Sequence, residues 1–313
     1  MKAVLFNEFG GPEVLSVKEV AQPEPAANEV SVRNRAAGIN PKDIMVRKGK
    51  FKFFTGSKFP LQMGYDFAGV IEHSNGHNDL PIGAKVFGML NSWKAGAYAQ
   101  IVNVPVDELA PLPKGIDFEQ AAGVPLVALT ALQAIRDLGK LKPGQKILIN
   151  GGSGGVGTAA IQIAKAMNAE VTSISSEKNF DLCRSLGADV CLSYKDHGIE
   201  KIEDTYDLFF DVFGNQSFPK SKRLLKQYGR FVGTIPNPKL ILQQFLSGFG
   251  PKKANLVIVK SKAADLKLIA DWIENGQFRP VVDQVLPLEA VQDGHRYLET
   301  KRARGKVILR IPE

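Results

Sequence analysis

A chain of 313 residues and 34.1 kDa is about two domains long and can bury a large core, which excludes a peptide-scale scaffold. Its 44% apolar and 23% charged residues, with no apolar run near the roughly 18 residues of a membrane span, point to a soluble protein without stable membrane insertion. The 40 Lys and Arg against 32 Asp and Glu leave a scattered +8 that suits a phosphate-bearing small molecule as well as nucleic acid, and two cysteines without an apolar leader set a reducing cytoplasm as the expected location.

The first third reads as β-structure. Lys2 to Phe6, Glu29 to Ala37, Phe67 to His73, Lys85 to Met89 and Tyr98 to Val104 are short runs divided by Gly, Pro and Asn clusters, as in a small barrel or folded sheet. Helical spacing then covers Glu119 to Leu138, and strands alternate with amphipathic helices as far as about Lys260, the pattern of a parallel sheet with crossover helices. Six strands are expected there: Lys146 to Asn150, Glu170 to Ile174, Asp189 to Ser193, Leu208 to Val212, Arg230 to Ile235 and Leu256 to Val259. That number suits a dinucleotide fold. Pro236 to Lys253 is irregular for its place in the alternation, and reads as a loop and helix near a ligand or as an interface. A helix from Ala263 to Asn275, a strand near Val281 to Leu286, a helix from Leu288 to Lys301 and a closing strand from Lys306 to Ile311 follow. This tail is assigned to the first domain, which becomes discontinuous: 1–121 with 261–313, around a nucleotide domain over 122–260.

The most informative segment is KILINGGSGGVGTAAIQIAK, Lys146 to Lys165. A strand ends at Asn150 and a helix begins near Val156, and Gly152, Gly154 and Gly157 between them satisfy G-x-G-x-x-G. Such glycines allow a tight turn, close approach of backbone to a pyrophosphate, and packing of the helix on its strand. With Ser153, Gly155 and Val156 they form a loop whose N–H groups and helix end meet phosphates. An acid at the tip of the next strand would grip the adenosine ribose of NAD. Here Ser175 and Ser176 occupy that tip and Lys178 follows, so a 2′-phosphate, and hence NADPH, is the better fit. Glu177 reverses the preference if the strand reaches it.

Taken together, MKAVLFNEFGGPEVL at the start, AAGINPKD from Ala36, GYDFAGVI from Gly64, GAYAQ from Gly96, LTALQA from Leu129 and GGSGGVG resemble the medium-chain dehydrogenase/reductase superfamily, in its zinc-free, ζ-crystallin-like quinone oxidoreductase branch. The resemblance implies an α/β chain with a GroES-like β-barrel domain, a Rossmann doubly wound parallel sheet inserted in it, and an active site in the cleft. Zinc enzymes of the superfamily carry Cys and His where this chain has Asn40 and Tyr65, so no metal is expected. His73 and His77 are divided by the turn residues Asn75-Gly76 and are not read as ligands.

Without a Lewis acid, hydride delivery to an electron-poor small molecule, a quinone or an α,β-unsaturated carbonyl, is the easier direction. The resemblance places Asn40 and Asp43 beside the nicotinamide ribose and substrate, with Asn40 as a possible amide donor. It makes Tyr65 the candidate donor to the developing oxyanion, with a packed aromatic as the alternative. Thr130 is expected to face the cofactor, Tyr194 to lie beside the adenosine phosphate, and Phe213, Gly214, Gly233 and Thr234 to border the nicotinamide. Met45 and Phe51 make that part of the pocket wall apolar. A homodimer through Leu256 to Val259 is a further implication. Two other classes stand beside the enzyme: an NADPH-binding structural or redox-sensing protein with little turnover, and nucleic-acid binding by Lys220, Lys222, Arg223, Lys226 and Arg230, whose spacing suggests one helix face. No recognised nucleic-acid motif accompanies those cations.

Overall fold

The computed structural model describes every residue except Asn78, Lys94 and His197. In chain order the strands are β1 (Lys2–Phe6), β2 (Ser16–Glu19), β3 (Glu29–Ile39), β4 (Leu61–Gln62), β5 (Asp66–His73), β6 (Lys85–Met89), β7 (Ile101–Pro105), β8 (Leu109–Pro111), β9 (Lys146–Asn150), β10 (Glu170–Ser175), β11 (Val190–Ser193), β12 (Tyr206–Asp211), β13 (Leu225–Gly233), β14 (Lys253–Leu256), β15 (Val282–Pro287) and β16 (Lys306–Arg310). The helices are α1 (Pro41–Arg47), α2 (Lys52–Thr55), α3 (Phe118–Ala122), α4 (Pro125–Leu132), α5 (Gly155–Ala166), α6 (Phe180–Ser185), α7 (Phe218–Ser221), α8 (Pro238–Ser247), α9 (Ala263–Glu274) and α10 (Val291–Glu299). Two compact units divide them: Met1–Leu126 with Lys260–Glu313, and Val127–Val259.

In the first unit, β3 is the hub. It pairs antiparallel with β5, β7 and β16, in a sheet ordered β15-β16-β3-β5-β6-β8. Its Val30, Val32, Ala36, Ala37 and Ile39 are buried, and the small apolar stretch Ala36 to Ile39 carries the end of the strand through the core. The chain's last strand, β16, pairs Val307 with Ile39 and so sits against the end of β3 that leads into α1. That pairing completes this unit with residues from both ends of the chain.

The second unit is a six-stranded parallel sheet in the order β11-β10-β9-β12-β13-β14. The order reverses between β9 and β12, the crevice where open α/β sheets bind ligands. Phe209, Phe231, Leu148, Leu224 and Leu225 form the heart of its core.

Several expected elements differ. The single helix over 119–138 is three segments: α3 ends at Ala122, α4 starts at Pro125, and 133–138 widens to a π-helix. Proline has no N–H and disfavours helix at the residue before it, so a turn at Gly123-Val124 separates α3 from α4. The last strand of the nucleotide sheet is Lys253–Leu256, three residues earlier than expected, because its partner β13 ends at Gly233 and pairs Arg230 with Lys253 through to Gly233 with Leu256. The basic cluster is not a helix face. α7 stops at Ser221 and β13 begins at Leu225, while Lys226 pairs with Asp207 at 2.7 Å and Arg223 donates to the carbonyls of Ile202 and Ile199. The irregular stretch after Pro236 contains α8, whose Asn237 cap accepts from the Leu240 N–H at 2.8 Å and whose first residue is Pro238.

Candidate functional site

The second unit builds a tight glycine turn between β9 and α5 from local geometry. The Gly151 and Gly152 N–H groups both donate to the Ile174 carbonyl at 3.0 Å, which pulls the turn after β9 onto β10. A Cβ on Gly152 would stand 1.9 Å from Ser173 Oγ, and one on Gly157 would stand 2.1 Å from the Gly151 carbonyl oxygen. Both positions therefore require glycine. At Gly154, the cap of α5, the nearest atom to a Cβ is 3.8 Å away, so that side of the turn is open. A helix start leaves its first N–H groups without partners, and the opening gives an anion access to them. Ser153 accepts from Asn179 Nδ2 at 2.8 Å, and the buried Asn179 Oδ1 has no partner.

The tip of the second strand is decided by where β10 stops. It ends at Ser175, and Glu177 begins a separate 3₁₀ turn with Lys178 and Asn179. Glu177 is exposed, and a hydrogen bond shared with Asp196 pushes its carboxyl up. Lys178 is exposed on the same turn, and Tyr194 follows β11 with its N–H on the Ser175 carbonyl at 3.2 Å. At the switch point, Asn150 Nδ2 donates to Asp211 Oδ1 at 2.7 Å and Asn215 Oδ1 at 2.8 Å, while Asp211 accepts from the Gly214 and Gln216 N–H groups. Burial raises the Asp211 carboxyl, and these hydrogen bonds oppose the rise. They pin the loop after β12, which holds Phe213 against Gly151. A cleft of about 430 Å³ opens there, lined by Asp211, Gly214, Gly233, Asn237 and Lys239 among others.

The first unit builds a buried polar network at the end of β3. Asn40 caps α1; its N–H donates to Asp43 Oδ2 at 2.7 Å, and Tyr98 O–H donates to the same oxygen at 2.9 Å. The two hydrogens of the Asn40 amide go to the Gly38 carbonyl at 3.2 Å and to Asp66 Oδ2 at 3.0 Å. Lys306, the one cation of its otherwise apolar strand segment KVIL, donates to Asn40 Oδ1 at 2.5 Å and pairs with Asp66 at 3.0 Å. Asp66 Oδ1 also accepts from the Leu126 N–H at 2.8 Å. Removing either member of this buried pair would leave an uncompensated charge, costing roughly 3–5 kcal/mol. Burial carries Asp43 up to about 7, against the pull of Tyr98 and Asn40.

Lys42 stands beside this network. Its Nζ lies 3.5 Å from the centre of the Tyr65 ring and 4.8 Å from that of Trp93. Trp93 is in turn stacked on Phe54 at 5.0 Å and tilted against Phe51 at 5.1 Å. Tyr65 is fully buried and its O–H points to the Trp93 carbonyl at 3.5 Å.

Two family models cover much of the chain: an alcohol dehydrogenase GroES-like domain over residues 26–114 and a zinc-binding dehydrogenase over 186–309. The chain is 34% identical to the chloroplastic NADPH-dependent alkenal/one oxidoreductase of Arabidopsis thaliana, over 99% of this chain and 79% of that protein. The chain belongs to the quinone oxidoreductase branch of the medium-chain dehydrogenase/reductases. Among solved structures of this branch, the quinone oxidoreductase from Coxiella burnetii matches at TM-score 0.92 and 28% identity, covering 100% of this chain and 99% of that one. The Escherichia coli quinone oxidoreductase complexed with NADPH matches at TM-score 0.85 and 26% identity, covering 99% and 100%.

For a medium-chain dehydrogenase/reductase, this donor set does not fit zinc. Asn40 and Tyr65, an amide and a buried phenol, stand where the resemblance puts the zinc ligands, and neither offers the thiolate or imidazole that zinc prefers. Two expected donor roles change as well. Asn40 has both amide hydrogens engaged, and it acts as a strut between Asp66 and Lys306. Tyr65 is the packed aromatic, sealed under Lys42. Thr130 is buried within α4. Sequence reasoning gave no role to Asp66, Lys306, Asn179, Asp211 or Lys42. The signal for Lys306 was a buried lysine that opens the apolar run Val307 to Leu309 of the closing strand.

Proposed function

We infer that this chain is an NADPH-dependent oxidoreductase that passes hydride to an electron-poor acceptor, an α,β-unsaturated carbonyl or a quinone, independently of zinc. The observation that carries the reading is the end of β10, where Ser175, Ser176 and Lys178 frame the tip and Glu177, beyond the strand, shares a hydrogen bond with Asp196. That arrangement supports a 2′-phosphate where an acid would have supported a free ribose hydroxyl. The kinship to an alkenal/one oxidoreductase and to quinone oxidoreductases supports the acceptor class.

When bound, the reduced nicotinamide supplies the hydride. The chain's own work is to hold and orient. The turn from Gly152 through Ser153, Gly154, Gly155 and Val156 to Gly157 receives the pyrophosphate, with Tyr194 beside the adenosine phosphate and Phe213 and Gly233 bordering the nicotinamide. Thr130 backs the cofactor from α4, and Asn40 and Asp43 fix the end of β3 in the first unit. Two further features belong to the reading. A homodimer is supported by β14, an edge strand, and by the exposed Ile241, Leu242, Phe245 and Leu246 of α8 packed next to it. A reducing cytoplasm is supported by two free thiols, Cys183 and Cys191.

Lys178→Ala tests the cofactor assignment. It is expected to weaken NADPH binding about tenfold, on the order of 1.4 kcal/mol, with NADH binding changed by less than about twofold. Equal losses for both nucleotides would show that Lys178 does not read the phosphate.

A further inference from the structure

We propose that the projection between α1 and β4, tipped by Phe53 and flanked by Lys50, Lys52 and Lys58, docks this protein reversibly on an anionic lipid surface. The projection lies wholly within the first unit. It is built on the single turn α2 and closed by Gly56 at φ +73°, where nothing stands within 4 Å of an added Cβ. Phe53 is 92% exposed and Phe54 59%. Among the described residues, Phe53 is the most exposed large apolar side chain in the chain.

Ring packing fixes the base of the projection on both sides of that tip. Phe51 and Phe54 lie against Trp93 at 5.1 and 5.0 Å, and Phe59 lies against Phe6 and Phe9 at 5.8 and 5.1 Å. Phe53 stands edge-on to Phe54 at 5.6 Å, so it is held out from the surface by a ring that is itself anchored. Holding a large apolar side chain in water brings no stability to the folded chain. It does pre-organise an anchor, because little side-chain freedom remains to be lost on docking.

The charge around the tip has one sign. Residues 48–60 hold four lysines and no acid. Lys48 is paired with Glu299 at 2.7 Å, whereas Lys50, Lys52 and Lys58 are exposed and pair with no carboxylate among the described residues. Each such lysine near an anionic leaflet strengthens attraction about fivefold. An aromatic ring entering the acyl boundary, with lysines around it reaching headgroup phosphates while their stems lie along the apolar layer, is the side-chain arrangement of an interfacial anchor.

Other occupants fit this surface less well. Protein interfaces are depleted in lysine, and here three unpaired lysines surround the apolar tip. Single-stranded nucleic acid stacks its bases on ring faces, but Phe54 already gives a face to Trp93, at 19° between planes, and Phe53 stands at 87° to Phe54. The two rings therefore form no common platform. Arg47, the arginine that precedes the projection and the residue type suited to bidentate phosphate contacts, is buried against His295 and Glu299.

The test sediments the full chain with vesicles of phosphatidylcholine alone, and of phosphatidylcholine with about 30% phosphatidylserine, at low salt and at about 0.5 M salt. F53S, F53W and the triple variant K50Q/K52Q/K58Q are run beside wild type, and thermal melting checks that each is folded. Expected is wild-type binding to the phosphatidylserine vesicles, removed by salt, and none to phosphatidylcholine alone. The triple variant should bind at least about tenfold more weakly. The scattered +8 of the chain also attracts anionic vesicles, so Phe53 carries the decision. F53S should weaken binding at least about fivefold, while F53W, which keeps an aromatic tip, should stay within about twofold of wild type. Failure of wild type to sediment with phosphatidylserine vesicles would overturn the proposal, as would F53S binding within about twofold of wild type. A single-stranded oligonucleotide that binds more tightly than the vesicles, and less tightly to F53S, would overturn it in favour of nucleic acid.

Discussion

At the scale of single residues, burial decides what the hydroxyl of Tyr65 and the amide of Asn40 can do. Tyr65 is sealed with its O–H on a carbonyl at 3.5 Å, and desolvation holds its phenol protonated well above the ordinary range. Tyr65→Phe therefore keeps the ring under Lys42 and removes only a weak hydrogen bond, so kcat is expected to stay within about twofold of wild type. A larger loss, measured at saturating acceptor, would return Tyr65 to the chemistry. Residue roles were legible in the sequence where they depend on a few neighbours. Gly152 and Gly157 must lack a Cβ because of atoms within the same strand–turn–helix. The Asp66–Lys306 pair was hidden because its partners are 240 positions apart and meet only when β16 closes on β3.

Elements show the same division between local and distant causes. Strand–helix alternation with a glycine turn was enough to place β9, α5 and β10, and the stretch after Pro236, read as a loop and helix or as an interface, holds α8 between Pro238 and the cap Gly248. Between α1 and α10 lies a contact that periodicity gives no hint of. Arg47, fully buried, donates to His295 Nδ1 at 3.3 Å and pairs with Glu299, which also pairs with Lys48. Burial first, then the Arg47 charge, lowers His295 to about 3, with Glu299 opposing. The folded chain thus keeps His295 neutral while the unfolded chain protonates it below about 6.5. Stability from this group is present above that pH and is lost progressively as pH falls from about 6.5 toward 3. His295→Gln, which retains an acceptor for Arg47, is expected to flatten the fall of Tm with pH over that window. An unchanged slope in melting experiments would show that other groups set the acid sensitivity.

The whole molecule poses two questions, how many chains associate and what they do. Large apolar side chains stand out on α8 and just beyond β14, with Phe249 and Ile258 joining those of α8, and a monomer rarely leaves so much apolar surface uncovered. Light scattering at micromolar concentration is expected to give twice 34.1 kDa; a particle of 34.1 kDa would contradict the dimer. The activity is tested most directly by following NADPH oxidation by the purified, EDTA-treated protein. The acceptor panel holds 9,10-phenanthrenequinone, a 1,4-quinone, an enone, an alkenal and a simple aldehyde, each repeated with NADH. The account predicts turnover of quinone or enone, preference for NADPH, and indifference to EDTA. Tight NADPH binding with no turnover of any conjugated acceptor, or activity lost to EDTA and restored by zinc, would contradict it.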